Sequence, residues 1–325
     1  MGQNLPAKKY KHSNPTVTRL SFELDGGTTK FIDIARALSA INRKFYRQGV
    51  YYYVNSVEIY NNETGVVDLH TLPDNWITKN AWNRGFKLWQ KMISLTDSPL
   101  TNVGRPKFHD FKVFMNVRHM EAATSENPSG SMDPVLHDIN GGLNYSHIEA
   151  DEWTPSEFVS ADSDGDTDSN GVVQEADNFL VHMQGNHQGN PDNWQSVGLV
   201  KSYAESRAMQ AINSPNDNLV NSADPLLNVF DFSSEEQMND IITNLIEDGD
   251  QPPYNYNEYV GEQIDHMQHV ARIGTEVGVG RVGRASGFCA PFGLICVDPH
   301  GVSTAFRVVL NLAMGTYHGV YAERV

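Results

Sequence analysis

The sequence predicts a mainly β protein in two parts of about 150 residues each, spanning 1–155 and 156–325. Three observations lead there. Alternating apolar residues recur from Arg19 to the end of the chain. Two helical stripes, one around Trp82 and one around Ile241, lie about half a chain apart, each with strand-like sequence on both sides. Between the halves runs a long region rich in Gly, Asn, Asp and Pro: "SENPSGSMDPVLHDINGGLNYSH", then an acidic stretch, then "QGNHQGNPDN". Loops this long are usually functional or projecting. The two halves share a pattern only, with no residue-level repeat.

The elements follow in order. "RLSFELD" alternates Leu20, Phe22 and Leu24, a half-buried strand. "FIDIARALSAINRKFY" puts Phe31, Ala35, Leu38, Ile41 and Phe45 on one helical stripe. "VYYYVNSVEIY" is dense in β-branched and aromatic residues and predicts a strand or strand pair over 50–60. "NAWNRGFKLWQKMI" carries a second helical stripe through Trp82, Phe86, Trp89 and Ile93. "FHDFKVFMNV" places Phe111, Val113 and Met115 on one strand face. "LVKSYAESRAMQAI" is a weaker helical pattern. "SSEEQMNDIITNLIEDG" is a stronger one, with Ser233 and Glu236 as a capping box and Gly249 as a stop. Near the end Phe306, Val308, Leu310, Leu312 and Met314 alternate, a strand apolar enough to belong inside a sheet rather than at its edge. "TYHGVYAERV" predicts a further strand after Gly315.

Composition narrows the function. Lys and Arg number 24 against 40 Asp and Glu, a net charge of −16, which repels phosphate and disfavours nucleic-acid binding. Lys8, Lys9, Lys11 and Arg19 precede the first acid, Glu23, and read as a frayed basic terminus. No apolar run long enough to cross a membrane is present, and the first residues lack the apolar core of a secretory signal. Cys289 and Cys296 flank "APFGLI". A turn at Phe292-Gly293 would make a disulfide geometrically feasible, and two thiols packed as small apolar groups is the simpler expectation.

One motif has a metal-ligand register. In "DSDGDTDSNGVVQEAD", Asp166, Asp168 and Asn170 take the first, third and fifth places of a calcium loop. Gly171 stands at the sharp turn, Val172 offers a carbonyl, and Asp177 takes the twelfth place. Calcium wants six to eight oxygens, and this spacing turns alternate side chains inward. Asp177 stands where a bidentate Glu is usual, and no convincing helices flank the loop, so a solvated acidic turn is the competing reading. Gly278, Gly280 and Gly283 spell a dinucleotide-binding fingerprint with Asp298 beyond it. Pro291 interrupts the helix that fingerprint needs, so bulged strands are the simpler reading. His266 and His269 in "DHMQH" lack the third ligand of a zinc site. No nucleophile elbow, P-loop or Cys–His signature is present, so the sequence points to no enzyme.

The stretches "VYYYVNSVEIYNN", "WITKNAWNRGFKLWQKM" and "FRVVLNLAMGTYHGVYAERV", set in this overall pattern, resemble the double jelly-roll major capsid proteins of tailless icosahedral viruses, in particular membrane-containing bacteriophages. The resemblance implies two jelly-roll β-barrels in tandem with short inserted helices and long loops. It further implies a homotrimer of pseudo-six-fold outline that tiles a virion shell against neighbouring trimers after synthesis in the host cytoplasm. An inner membrane or minor capsid proteins would lie beneath that shell, so no basic arm for a genome is required. Structural calcium at subunit contacts would offset repulsion among acidic copies. Two alternatives stand beside it: a single-jelly-roll capsid protein with a projecting domain, and a calcium-dependent β-sandwich module for carbohydrate binding or adhesion.

Overall fold

The computed structural model describes residues 15–96, 108–124, 133–137, 145–161, 176–190, 193–207, 253–255, 258–275 and 282–325. Residues 204–259 form a compact unit of their own, in which Arg207 N–H donates to Ala204 O and Glu258 N–H donates to Asn255 O. All that follows concerns the other unit.

Strand β1 (Arg19–Leu24) buries Leu20, Phe22 and Leu24 and turns Arg19, Ser21 and Glu23 outward, as its alternation predicts. Strand β2 (Lys30–Asp33) runs straight into helix α1 (Ile34–Asn42). Asp33 caps that helix, accepting from Arg36 N–H at 3.1 Å, and Arg43 ends it in the left-handed region. The helical stripe expected from Phe31 therefore starts three residues late. Phe31 and Ile32 pair instead with Cys296 and Ile295, and the sheet overrides local period. Strand β3 (Val50–Tyr60) is one long strand, followed by β4 (Gly65–Thr71).

Between β4 and the last third of the chain lies a large insertion. Helix α2 (Trp76–Thr96) extends the expected Trp82 helix at both ends. Its stripe stacks Trp82 on Phe86 at 5.0 Å and sets Trp82 against Phe111 and Phe292. Strand β5 (Phe114–Asn116) leads to helix α3 (Val117–Thr124). Strands β6 (Val135–His137) and β7 (Tyr145–His147) form a small antiparallel pair. Strands β8 (Glu157–Ala161), β9 (Ala176–Gln184), β10 (Gln188–Asn190) and β11 (Asn193–Gly198) form, with β5, a mixed sheet centred on β9. In it β5 and β11 run parallel to β9, whereas β8 runs antiparallel. Helix α4 (Leu199–Glu205) follows directly, so of the weak pattern over 199–212 the described helix covers the first part. The expected helix over 233–249 lies outside the described residues.

The chain then returns to the first strands. Strands β12 (Gln268–Thr275), β13 (Val282–Ala290), β14 (Leu294–His300), β15 (Phe306–Leu312), β16 (Met314–Tyr317) and β17 (Ala322–Arg324) complete it. One sheet has the order β1-β15-β3-β13, with β17 also on β3; the other has the order β2-β14-β4-β12. All these pairs are antiparallel. The two sheets enclose one apolar core, in which Leu20, Phe22, Val57, Ile59, Leu69, Ile295, Val308 and Leu310 are fully buried. The last strong apolar strand is interior to its sheet, as expected, although it ends at Leu312 and Met314 faces outward.

This pairing corrects the expected division at 155/156. Strands from both sides of that boundary share both sheets, so the two ends of the chain close one sandwich. The described strands of 156–198 lie in the mixed sheet of the insertion instead. A repeated local pattern says nothing about which strand pairs with which, and here the partners are nearly the whole chain apart.

The "CAPFGLIC" stretch also differs from a simple hairpin. Its turn, with Phe292 at φ 58° and Gly293 at φ 71°, carries the chain from one sheet to the other rather than between paired strands. At Gly293 a side chain would press on the Tyr52 ring at 2.9 Å, so the turn demands glycine twice over. Cys289 and Cys296 are free thiols, and burial pushes them up to about 11 and about 12.

Candidate functional site

A polar cavity of about 350 Å³ opens where the insertion meets α1 and the edge of the sandwich. Asp33 and Arg36 come from the start of α1, and Gln48 from the approach to β3. Lys112, Val113, Phe114, His119 and Ala123 come from the approach to β5 and from α3. Asp133, Trp153 and Pro155 close it from the segments around β6 and before β8.

The charged groups of this cavity are placed by specific contacts. Asp33 accepts from Arg36 N–H, from Gln48 Nε2 at 3.1 Å and from Trp153 Nε1 at 3.2 Å. Burial raises its carboxyl above the usual range, and the hydrogen bonds from Arg36 N–H and Gln48 pull it back. Arg36 forms an ion pair with Asp133 at 3.0 Å. Lys112 sits above the Trp153 ring, 4.9 Å from its centre, and burial lowers its ammonium. His119 accepts from Met115 N–H through Nδ1 at 3.1 Å and stacks on Phe31 at 4.9 Å. Burial pushes it down to about 3, so the ring is neutral and its proton sits on Nε2.

Sequence reading missed these residues for a physical reason. In "FHDFKVF" the polar Asp110 and Lys112 alternate with Phe111 and Val113, which puts them on a solvent face. Yet Asp110 and Lys112 are buried too, because the 153–156 segment lies across them: Ser156 N–H donates to Lys112 O, and Ser156 Oγ accepts from Lys112 N–H. The N-cap Asp33 was hidden as well, because the helical stripe read from the sequence begins at Phe31 and takes Asp33 inside it.

A second polar cluster decorates the outer face of the β2-β14-β4-β12 sheet. Arg272 grips Asp68 with two hydrogen bonds, at 2.8 and 2.7 Å, and those bonds hold the Asp68 carboxyl down to about 2. His269 and His300 each approach the same carboxylate at 3.4 Å, and His300 also lies 3.4 Å from Asp298. Thr29 donates to Asp298 at 2.9 Å, so the acid beyond the glycine fingerprint belongs to a surface network on β14. Gly283 lies within β13, paired with Ile59, while Gly278 and Gly280 lie outside the described residues. His266 N–H donates to Gln263 O in a loop, and His269 is on β12, so the two histidines of "DHMQH" stand in different local structures.

Of the calcium register, Asp166, Asp168, Asn170 and Val172 lie outside the described residues. Asp177 stands near the start of β9, opposite Ser160 of β8. Among the described residues, no group of three or more His, Cys, Asp or Glu is arranged to hold a metal ion. No helix among them is long and apolar enough to cross a membrane.

Comparison with known proteins returned no matching family model, no matching curated protein and no matching solved structure.

Proposed function

We propose that the chain is a capsid subunit built on a single jelly roll, with its large insertion carried between the fourth and fifth strands of the sandwich. The observation that carries this reading is the strand order. The sheets β1-β15-β3-β13 and β2-β14-β4-β12 draw their eight strands alternately from the two ends of the chain. That is the wiring of two interlocked Greek keys, the architecture shared by viral capsid and lectin domains and by cupins. Of those, a barrel with an internal site is disfavoured. The space between the sheets is filled by Leu, Ile, Val and Phe side chains that are almost wholly buried.

The absence of any nucleophile or cofactor motif in the sequence supports a structural role over an enzymatic one. The net charge of −16 supports a shell that does not contact nucleic acid sequence-specifically. Under this reading copies of the chain associate with one another, as a homotrimer and then with neighbouring trimers, in a virion shell. An inner membrane or minor capsid proteins are the further partners the reading admits. Three chains then contribute three sandwiches rather than the six of a double jelly-roll trimer. Calcium held by Asp166, Asp168, Asn170, Val172 and Asp177 is the structural ion that would steady contacts between acidic copies.

The experiment is direct. Sedimentation and negative-stain imaging of the purified chain are expected to give discrete oligomers and closed particles. A protein that stays monomeric at high concentration, with and without calcium, overturns the shell reading and favours a binding module on the same sandwich.

A further inference from the structure

We propose that the cavity beside α1 is a binding site for a small organic monocarboxylate, with the acid group on Lys112 and the carbon skeleton against Val113, Phe114, Ala123 and Pro155. The inference stands on the cavity alone and does not depend on the shell reading.

Lys112 is the reason. It is 6% exposed, yet among the described residues its ammonium makes one long hydrogen bond, 3.5 Å to Thr154 O. Asp110, Asp33 and Glu152 are near enough to favour its charge, but no carboxylate oxygen among the described residues comes within the 4.0 Å of an ion pair. An ammonium carries three donors, and burying it with one weak acceptor and the face of the Trp153 ring leaves donors unmet, which is costly. The other charged groups lining the cavity are engaged. Asp33 has its three donors, and Arg36 and Asp133 pair with each other. One under-used positive charge remains.

The charge balance selects the ligand. Asp33 and Asp133 already balance Arg36 and Lys112 in charge, so any bound anion is in surplus and a monoanion adds the least. A dianion such as phosphate would bring a second negative charge towards Asp33 and Asp133 with no cation left to meet it. His119, with Nδ1 occupied by Met115 N–H, leaves Nε2–H as a neutral donor in the same wall. The remaining wall is apolar, which suits a short carbon chain or ring. The volume of about 350 Å³ is at the small end of the range for ligand sites.

The test uses the whole chain and sodium butyrate as probe, read by melting temperature and by saturation-transfer NMR on the butyrate protons. Sodium chloride and sodium phosphate at matched ionic strength are the control arms. Butyrate is expected to raise the melting temperature saturably, because a ligand that binds only the folded state stabilises it by mass action. Phosphate is expected to match chloride. Lys112→Met and Ala123→Leu are each expected to remove the butyrate response, the first by removing the charge and the second by filling the space for the carbon skeleton. If Lys112→Met fails to fold, Ala123→Leu decides. No saturable response in the unaltered protein up to about 100 mM, a hundred times a weak Kd of 1 mM, overturns the proposal. So does a response equal to that of phosphate, or one that survives in the folded variants.

Discussion

Gln48 and Val113 are joined by two reciprocal hydrogen bonds. Val113 N–H donates to Gln48 Oε1 at 2.6 Å, and Gln48 Nε2 donates to Val113 O at 3.0 Å. The side-chain amide thus imitates a strand partner, and it fastens the insertion to the sandwich just ahead of β3. The same Nε2 group serves Asp33 at 3.1 Å, so one buried amide satisfies three polar groups. Gln48→Leu leaves a buried backbone N–H and C=O without partners. The expected loss is about 2–4 kcal/mol of unfolding free energy, measured by urea titration. Gln48→Glu keeps an acceptor for Val113 N–H but points an oxygen at Val113 O and Asp33, so it is expected to be destabilising too. A loss below about 1 kcal/mol for Gln48→Leu would mean that the amide is not the fastening.

Two buried histidines contribute to the pH dependence of stability. Burial pushes His119 down to about 3 and His182 down to about 4. Both values lie below that of an unfolded histidine, about 6.5. Between each folded value and 6.5 the unfolded chain binds the extra proton, so stability rises with pH through that window and falls as pH drops. Unfolding titrations at pH 7 and pH 5 are expected to show a clear loss at pH 5. In His119→Gln, which keeps an acceptor for Met115 N–H, the difference between the two pH values is expected to shrink. An unchanged difference would show that His119 already carries its proton when folded.

The sandwich strands were legible one by one, and their assembly was not. β1, β3 and β15 each show a period of two with bulky apolar residues on the inward side, which is a local property. Leu20 opposite Leu310 is a contact between the first and last tenths of the chain, and no local period encodes it. The same holds for the cavity. Asp110 and Lys112 follow the pattern of a solvated face, and only the later segment around Trp153 and Ser156 covers them. Phe31 fits a helix stripe as well as a strand, and pairing with β14 decided between them. What a sequence states plainly is which side of an element is apolar; which partner covers it comes from the whole chain.

Calcium gives a prediction that the sequence register alone carries. Removing the ion with a chelator is expected to lower the melting temperature of the chain or its assemblies, and adding calcium back is expected to restore it. Asp166→Ala is expected to abolish the calcium response without changing the melt measured in chelator. A melt that ignores calcium in the unaltered protein removes Asp166, Asp168, Asn170, Val172 and Asp177 as ligands and leaves the stretch a solvated acidic turn.

The strongest check on the architecture is a coupling between Leu20 and Leu310. They face each other in the register of β1 and β15, Leu310 also stands opposite Val57, and all three side chains are fully buried. Each Leu→Ala change is expected to cost about 2–5 kcal/mol, the transfer of the lost methyl groups plus the cavity left behind. The double variant is expected to depart from the sum by at least about 0.5 kcal/mol, because neighbours in one core share a cavity. The β1, β3 and β15 region is then expected to unfold in one transition with β4, β12 and β14, since the two sheets close on a common core. If the chain instead formed two tandem sandwiches divided at 155/156, Leu20 and Leu310 would sit in different cores. Their costs would then add within error, and each change would shift a separate transition.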